Sequence, residues 1–166
     1  MFKKIKIAFL MLSISVLTAC GFHFQNGELI PQELRTLKFE SSDPYSDMSM
    51  AMRKQLLANN IRIVEQTDVP ILRITKVTSN NEVVSVFKQG REAEKMLMLQ
   101  VDASVQLANK QTYPISAKVS RTFFDNSRAA LAKSSEREMI WSDMREQAAR
   151  KLISKMVTLQ SQVQAN

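Results

Sequence analysis

Cysteine and histidine are almost absent from this chain of 166 residues, which contains one of each. A single cysteine excludes a disulfide within the chain, so packing must hold the fold together. A single histidine excludes the histidine-rich ligand sets of catalytic zinc sites. Only three glycines and four prolines are present, which argues against a low-complexity or disordered class. The composition therefore predicts a folded domain that depends on its core.

The residue sets that enzymes need are also missing. A catalytic histidine requires an orienting partner and a positioned substrate, and nothing in the sequence supplies either for His23. The sequence contains neither a glycine-rich phosphate loop nor an HExxH motif. The carboxylate pairs Glu92/Glu94 and Glu136/Glu138 are typical of solvated turns and helices. We therefore predict a protein that is not an enzyme and that holds no metal and no cofactor other than the covalent lipid considered next.

The first twenty residues have the pattern of a bacterial secretion signal. Three lysines precede an apolar run over residues 7–17, which is shorter than the about 20 residues that a bilayer-spanning helix needs. The run ends in Leu-Thr-Ala-Cys. This ending resembles the lipobox of bacterial lipoproteins, in which the thiol receives diacylglycerol, the chain is cut before the cysteine, and the new amine is acylated. We predict that residues 1–19 are removed and that Cys20 carries these lipids; an ordinary signal peptide with a chance cysteine is the alternative.

The lipid anchor predicts where the mature chain resides. One myristoyl chain gives only marginal membrane binding, with a constant of about 10⁴ M⁻¹, and a triacylated cysteine exceeds it. By resemblance to lipoprotein sorting, a residue other than Asp after the cysteine favours the outer membrane, and here that residue is Gly21. We therefore expect residues 20–33 to tether a single domain, residues 34–166, to the inner leaflet of the outer membrane.

The charge balance is moderately basic. The formal charge is +7, and removing three lysines with the signal peptide leaves 20 basic residues against 16 acidic ones. A basic cytosolic domain would suggest nucleic acid as a partner. Beyond the inner membrane the available polyanions are lipids and glycolipid phosphates, so we predict no nucleic-acid partner.

Two segments have helical spacing. Asp43 and Pro44 predict a helix start as N-cap and first helical residue, and Asn59-Asn60 predicts its end. The apolar residues of this helix are Met48, Met52 and Leu56. Near the C-terminus, Ser135 and Glu138 have the spacing of a capping box, although a start near Ser127 is also open. The apolar stripe of this second helix is Ile140, Met144, Ala148, Leu152 and Met156.

Alternation of apolar and polar residues predicts the strands. The longest apolar series is Leu97, Leu99, Val101, Ala103, Val105 and Leu107, which is typical of a half-buried strand. Residues 115–124 alternate in the same way and are predicted to pair with it as an antiparallel hairpin. Shorter strands are predicted at residues 34–40, 61–63, 71–77 and 83–87, with tight turns at residues 80–81 and 88–91. We predict an α+β fold: an antiparallel-rich mixed sheet of about four strands, with two helices on one face.

Basic and aromatic residues near the predicted turns are candidates for binding. Clustered at one end of the sheet, the basic side chains could hold phosphates through charge-assisted hydrogen bonds; the alternative is scattered surface charges that keep the domain soluble. These basic candidates are Lys88, Arg91, Lys118, Arg128 and Lys133. Phe87, Phe123 and Phe124 end strands nearby, where an exposed ring suggests an interface and a buried one is core.

The chain resembles the LPS-assembly lipoprotein family LptE over nearly its whole length, and the segment from Tyr113 to Lys133 is the most specific part. The matching motifs are Cys-Gly-Phe-His at the predicted cleavage site, Val-Phe-Lys-Gln-Gly at residues 86–90, Tyr-Pro-Ile-Ser-Ala-Lys-Val-Ser-Arg-Thr-Phe-Phe-Asp-Asn at residues 113–126, and Ala-Leu-Ala-Lys at residues 130–133. The resemblance implies two helices on a four-stranded sheet, and a 1:1 complex in which the lipoprotein plugs the outer-membrane β-barrel LptD. It also implies assistance in assembling that barrel, binding of lipopolysaccharide, and delivery of lipopolysaccharide to the outer leaflet.

The resemblance also implies particular contact residues. Lys88 and Lys133 match basic positions that contact lipopolysaccharide, and Phe87 matches an aromatic position that faces the barrel. Lysine at position 88 stands where arginine is usual and lacks the bidentate fork. Ser120 stands where a second aromatic is expected. A free-standing periplasmic lipid-binding lipoprotein is the alternative function, and it would need an internal apolar cavity.

Overall fold

The computed structural model describes residues 30–66, 68–86, 92–107, 110–124 and 130–165. Within them a short 3₁₀ turn, Gln32–Leu34, precedes five strands and two helices. The strands are β1 (Thr36–Ser41), β2 (Arg62–Ile63), β3 (Ile71–Val86), β4 (Glu92–Gln106) and β5 (Thr112–Phe124). The helices are α1 (Asp47–Ala58) and α2 (Ala130–Ala165). The predicted signal peptide, Cys20 and most of the predicted tether lie outside the described residues.

Helix α1 begins three residues later than the sequence predicts. Ser46 is its N-cap, and the Ser46 hydroxyl accepts a hydrogen bond from the Ser49 amide at 3.3 Å. The prediction of Asp43 as N-cap is wrong, because the Asp43 carboxylate instead accepts from the Tyr45 amide at 3.0 Å and closes a local turn. The predicted helix end is confirmed: α1 ends at Ala58, and Asn60 has a φ of 58°, a left-handed conformation that asparagine tolerates.

Strand β3 continues through the position where a tight turn was predicted. Asn80 pairs with Met98 and Asn81 with Leu97 of the antiparallel neighbour β4. The prediction of a turn at residues 80–81 is therefore wrong. The two strands predicted on either side of it form the single strand β3. Pairing with β4 outweighs the local preference of asparagine for turns, because strand propensity is decided mainly by neighbours. Register shifts near Thr75 and Val84 interrupt the ladder without ending the strand.

The predicted hairpin of β4 and β5 is confirmed. The two strands pair antiparallel from Glu94–Phe124 to Gln106–Thr112. The apolar series of β4 faces the core, and each member from Leu97 to Leu107 is at most 4% exposed. Between the strands, Lys110 adopts a φ of 62° and its amide donates to the Leu107 carbonyl at 2.9 Å. The alternation in sequence therefore correctly predicts both the strand and the face that it buries.

Helix α2 begins before the predicted capping box. Ser135 and Glu138 lie inside the helix, which already includes Ala130, so the capping box is wrong. Residues 130–133 are Ala-Leu-Ala-Lys, all strong helix formers, and they extend the helix backward. The predicted apolar stripe is confirmed, since Met144, Ala148, Leu152 and Met156 are fully buried and Ile140 packs against them.

The sheet is mixed, with strand order β2-β1-β3-β4-β5. β1 pairs parallel with β2 and with β3, whereas β3, β4 and β5 are antiparallel. Side chains of both helices and of the sheet form one core cluster, so the helices share one face, as predicted. The sheet has five strands where about four were predicted, and the additional strand, β2, contains only two residues. Across the described residues, no helix has the length and apolar character needed to cross a membrane.

Helix α2 closes one edge of the sheet. β5 is an edge strand, and lysines of α2 donate to its backbone: Lys151 to the Lys118 carbonyl at 2.8 Å, and Lys155 to the Ser116 carbonyl at 2.6 Å. Alternate residues of a strand direct their backbone groups to the same side, so Pro114, which has no N–H to donate, belongs to this outward set. β3 is different: its pairing with β1 ends at Ile74, and no described strand adjoins that side from Thr75 onward.

Two cations surround Glu40 where β1 meets β3. Arg73 Nη2 lies 2.7 Å from Glu40 Oε2, and Lys38 Nζ lies 3.1 Å from Oε1. Hydrogen bonds from Arg73 and then Lys38 lower the pKa of the Glu40 carboxyl from its usual value. This ion-pair group therefore stabilises the fold only while Glu40 is charged.

We expect Glu40→Gln to lower the free energy of unfolding by at most about 1 kcal/mol near neutral pH, because the ion pairs are partly exposed. The lowered folded-state pKa gives a contribution that is present above the unfolded pKa, about 4.3, and lost as pH falls through the folded-state value. Urea unfolding of both proteins between pH 3 and 7 measures the difference. Glu82→Gln, an exposed carboxylate of β3, is the control; a Glu40 effect that persists at pH 3 contradicts the assignment.

Candidate functional site

The structure describes two of the five basic residues selected from sequence. Lys118 lies on β5 and Lys133 lies on α2. Lys88, Arg91 and Arg128 lie outside the described residues, as do Phe87 and Cys20. The site can therefore be built from Lys133 and from the residues that surround it.

Phe123 is the centre of a cluster where β5 ends and α2 begins. The ring is 2% exposed and its strand position pairs with Lys95 of β4. Phe123 is on the core face because β5 alternates, which leaves Phe124 on the other face and 65% exposed. The two alternatives from sequence therefore apply to different residues. Phe123 belongs to the core, and Phe124 is exposed and available to a partner.

Two cations of α2 lie over this one ring. Lys133 Nζ is 5.2 Å and Arg137 Cζ is 5.5 Å from the centroid of Phe123. Each distance is within the about 6 Å range of a cation–π contact, which contributes about 0.5–1 kcal/mol at exposed sites. The spacing of four residues explains the arrangement, because residues i and i+4 lie on one helix face.

The two cations differ in their ionic partners. Lys133 Nζ lies 2.7 Å from Glu136 Oε2, and the Lys133 side chain is 23% exposed. Arg137 forms no ion pair with the described residues, and its Nε is buried without a hydrogen-bond acceptor among them. An unsatisfied buried donor costs about 1–3 kcal/mol. Sequence reasoning missed Arg137; its spacing from Lys133 on the predicted helix was the available signal.

Lys118 is not part of this cluster. Its neighbours in sequence, Ala117 and Val119, are buried against the helices, so the Lys118 side chain points to the opposite face of the sheet. It lies five residues before Phe123, a separation of about 16 Å along the strand. There it lines a groove of about 440 Å³ with residues of three strands, which include Thr78, Met98 and Gln100, and with Gln147 and Lys151 of α2.

The predicted absence of catalytic chemistry remains a prediction. The residues that the structure covers contain no group of three or more His, Cys, Asp or Glu side chains placed to hold a metal ion. His23 lies outside those residues. The arrangement at Phe123 is suited to holding an anion, because it combines two fixed positive charges with an apolar support.

Comparison with known proteins identifies a family. The family model LptE, described as lipopolysaccharide-assembly, matches residues 34–156. The LPS-assembly lipoprotein LptE of Photorhabdus laumondii is 41% identical over 158 residues, covering 94% of this chain and 87% of that protein. The protein of the same name from Pectobacterium atrosepticum is 39% identical over 151 residues, covering 89% and 82% respectively.

Solved structures agree with the fold. The rare lipoprotein B of Shewanella oneidensis has a TM-score of 0.72 and 32% identity, covering 78% of this chain and 98% of that one. A minor lipoprotein of Acinetobacter baumannii has a TM-score of 0.63 at 13% identity, covering 76% and 93%, and this similarity concerns the fold alone.

Proposed function

Because the chain belongs to the LptE family, we propose that it is an outer-membrane lipoprotein that plugs and helps to assemble the LptD β-barrel and binds lipopolysaccharide. The family match over residues 34–156 is the observation that carries this proposal. Under this proposal the protein acts as a structural partner and a ligand-binding protein, and not as an enzyme. Its acylated Cys20 holds it on the inner leaflet of the outer membrane, close to the barrel.

The uncovered face of the sheet supports the role of plug. Both helices lie on the other face, and the open face carries Thr78, Gln100 and Lys118, which pair across β3, β4 and β5, together with the partly buried Met98. Such a surface can fill a water-containing barrel lumen without removing apolar groups from lipid. The exposed ring of Phe124 provides an apolar contact for a barrel wall at the end of the sheet.

The cluster around Phe123 supports lipopolysaccharide binding. Lipopolysaccharide presents phosphate groups, and cationic side chains bind phosphate through short, charge-assisted hydrogen bonds. Lys133 is held over the ring at 5.2 Å, which fixes its position for such a contact. The strand ends Val86 and Glu92 pair with one another at the same end of the sheet, and Lys88 lies between them in sequence.

The packing of the core favours the plug over the alternative function, a free-standing lipid carrier. A carrier needs an internal apolar cavity for acyl chains, whereas the space between sheet and helices is filled by fully buried side chains such as Met144, Leu152 and Met156. Co-purification separates the two functions. We expect the lipidated protein, extracted in mild detergent, to elute 1:1 with a barrel of outer-membrane size; a monomer free of any barrel would contradict the plug.

We expect the double variant Lys88→Glu/Lys133→Glu to bind purified lipopolysaccharide about 10–100-fold more weakly, because the lost charge-assisted contacts together contribute about 1.5–3 kcal/mol. Titration of the purified domain at fixed salt measures the affinity. Lys76→Glu/Lys110→Glu is the matched control, since it changes the net charge equally at two exposed positions outside the cluster. Equal weakening of both variants would indicate a non-specific charge effect and would contradict the assigned site.

A further inference from the structure

We propose that Arg137 is the principal phosphate-binding residue of the Phe123 cluster, and that its guanidinium binds a phosphate of the glycolipid with Lys133 in support. This inference rests on the proposed function, since it concerns the same ligand. It adds a residue that was not among the candidates selected from sequence, and it specifies the chemical group bound at this end of the sheet.

The ion pairs of the cluster favour Arg137 over Lys133. Lys133 already lies 2.7 Å from Glu136 Oε2 and is 23% exposed, so a ligand must compete with that carboxylate for its charge. Arg137 has no such competitor within the described part of the chain. Arg145, two turns further along α2, shows the contrast: it lies 2.6 Å from Glu138 and 3.5 Å from Asp47. Among the described residues, the charge of the cluster that has no ionic partner is therefore that of Arg137.

The contact with Phe123 positions the guanidinium. Arg137 Cζ lies 5.5 Å from the centroid of a ring that is itself 2% exposed, so the ring cannot move without disturbing the core. A guanidinium held against an aromatic ring retains its in-plane N–H groups, and two of these match the spacing of phosphate oxygens. The ring thereby reduces the conformational entropy that Arg137 would lose on binding.

The proximity of two like charges favours an anion as the ligand. Lys133 and Arg137 are four residues apart on α2 and contact the same ring, and like charges at this spacing destabilise a helix. Glu136 offsets the charge of Lys133. A phosphate, which carries more than one negative charge and several acceptor oxygens, is suited to offset the remainder and to accept hydrogen bonds from both side chains.

Arg137→Gln tests the proposal, because glutamine keeps a polar side chain and removes the charge. We expect affinity for purified lipopolysaccharide to fall about tenfold, the change that corresponds to about 1.4 kcal/mol. Arg137→Lys, which keeps the charge and loses the fork, should bind with an intermediate affinity. Arg150→Gln, an exposed arginine of α2 whose partner is Glu146, should bind within twofold of the unchanged protein. Thermal unfolding of each variant verifies that the fold is retained.

Two further ligands identify the phosphate and its source. With dephosphorylated lipopolysaccharide, the difference between the unchanged protein and Arg137→Gln should disappear; a persistent difference would overturn the phosphate contact. With phosphatidylglycerol vesicles the Arg137 dependence should be absent, and an equal dependence there would overturn the glycolipid as source.

The outcomes separate this inference from the proposed function. If the unchanged protein binds lipopolysaccharide and Arg137→Gln binds equally well, the role of Arg137 is wrong and the proposed function stands. If the unchanged protein does not bind lipopolysaccharide, the ligand-binding part of the proposed function and this inference both fail.

Discussion

Replacing Cys20 with alanine is expected to abolish acylation of the mature chain and to reduce its binding to vesicles by several orders of magnitude. One myristoyl chain already gives a binding constant of about 10⁴ M⁻¹, and each buried CH₂ contributes about 0.8 kcal/mol. Because Cys20 is the only cysteine in the chain, no second thiol can accept the diacylglyceryl group. Intact mass measurement reports the acyl groups, and co-sedimentation with phosphatidylethanolamine and phosphatidylglycerol vesicles reports binding.

Gly21→Ala is the control, since it keeps both the cysteine and a residue other than aspartate after it. That variant should stay acylated and should sediment with the vesicles. The lipobox interpretation is contradicted if the protein isolated from cells carries no lipid at Cys20. An ordinary signal peptide, the alternative drawn from sequence, predicts that result.

Leu152→Ala is expected to lower the free energy of unfolding by about 2–5 kcal/mol, the range for leucine-to-alanine changes that leave a cavity in a core. Leu152 lies on α2, is fully buried, and belongs to the cluster that joins both helices to the sheet. Domains of this size unfold with about 5–15 kcal/mol, so the loss is a large share of the total. Urea unfolding followed by circular dichroism measures the change in midpoint.

Leu57→Ala provides a matched comparison. Leu57 is also a helical leucine, on α1, but it is 62% exposed. Helix propensity changes equally in both variants, because alanine replaces leucine in each, so their difference isolates the effect of burial. We expect Leu57→Ala to remain within about 0.5 kcal/mol of the unchanged protein. Equal destabilisation by the two substitutions would contradict the packing of α2 on the sheet.

The sequence predicts the elements whose periodicity is long and regular. The alternation from Leu97 to Leu107 and the four-residue repeat from Met144 to Met156 correctly indicate β4 and α2, because each pattern reports burial against a large surface. Helix starts and turns are less predictable, since they depend on a few residues. Ser46 replaces Asp43 as N-cap, and Asn80 lies within β3 because β4 pairs with it.

The candidate site is predicted only in part, for a similar reason. Lys133 is identified from a matching segment, and the structure places it over Phe123. Arg137 is not identified, because its significance depends on Phe123, fourteen residues earlier on β5, being folded against α2. The orientation of Lys118 away from this cluster follows from the alternation of β5, which the sequence does contain. Contacts between distant elements are what the sequence leaves out.

The unequal edges of the sheet limit how copies of this chain can associate. A fibre built by strand addition requires two compatible edges on each subunit, so that every added subunit offers a place for the next. Here Lys151 and Lys155 occupy carbonyls of β5, and β2, at the opposite end of the sheet, contains two residues. Strand addition beside β3 would therefore occupy the one long stretch of the described sheet that has neither a strand partner nor lysine contacts to its carbonyls, and association would stop at a dimer.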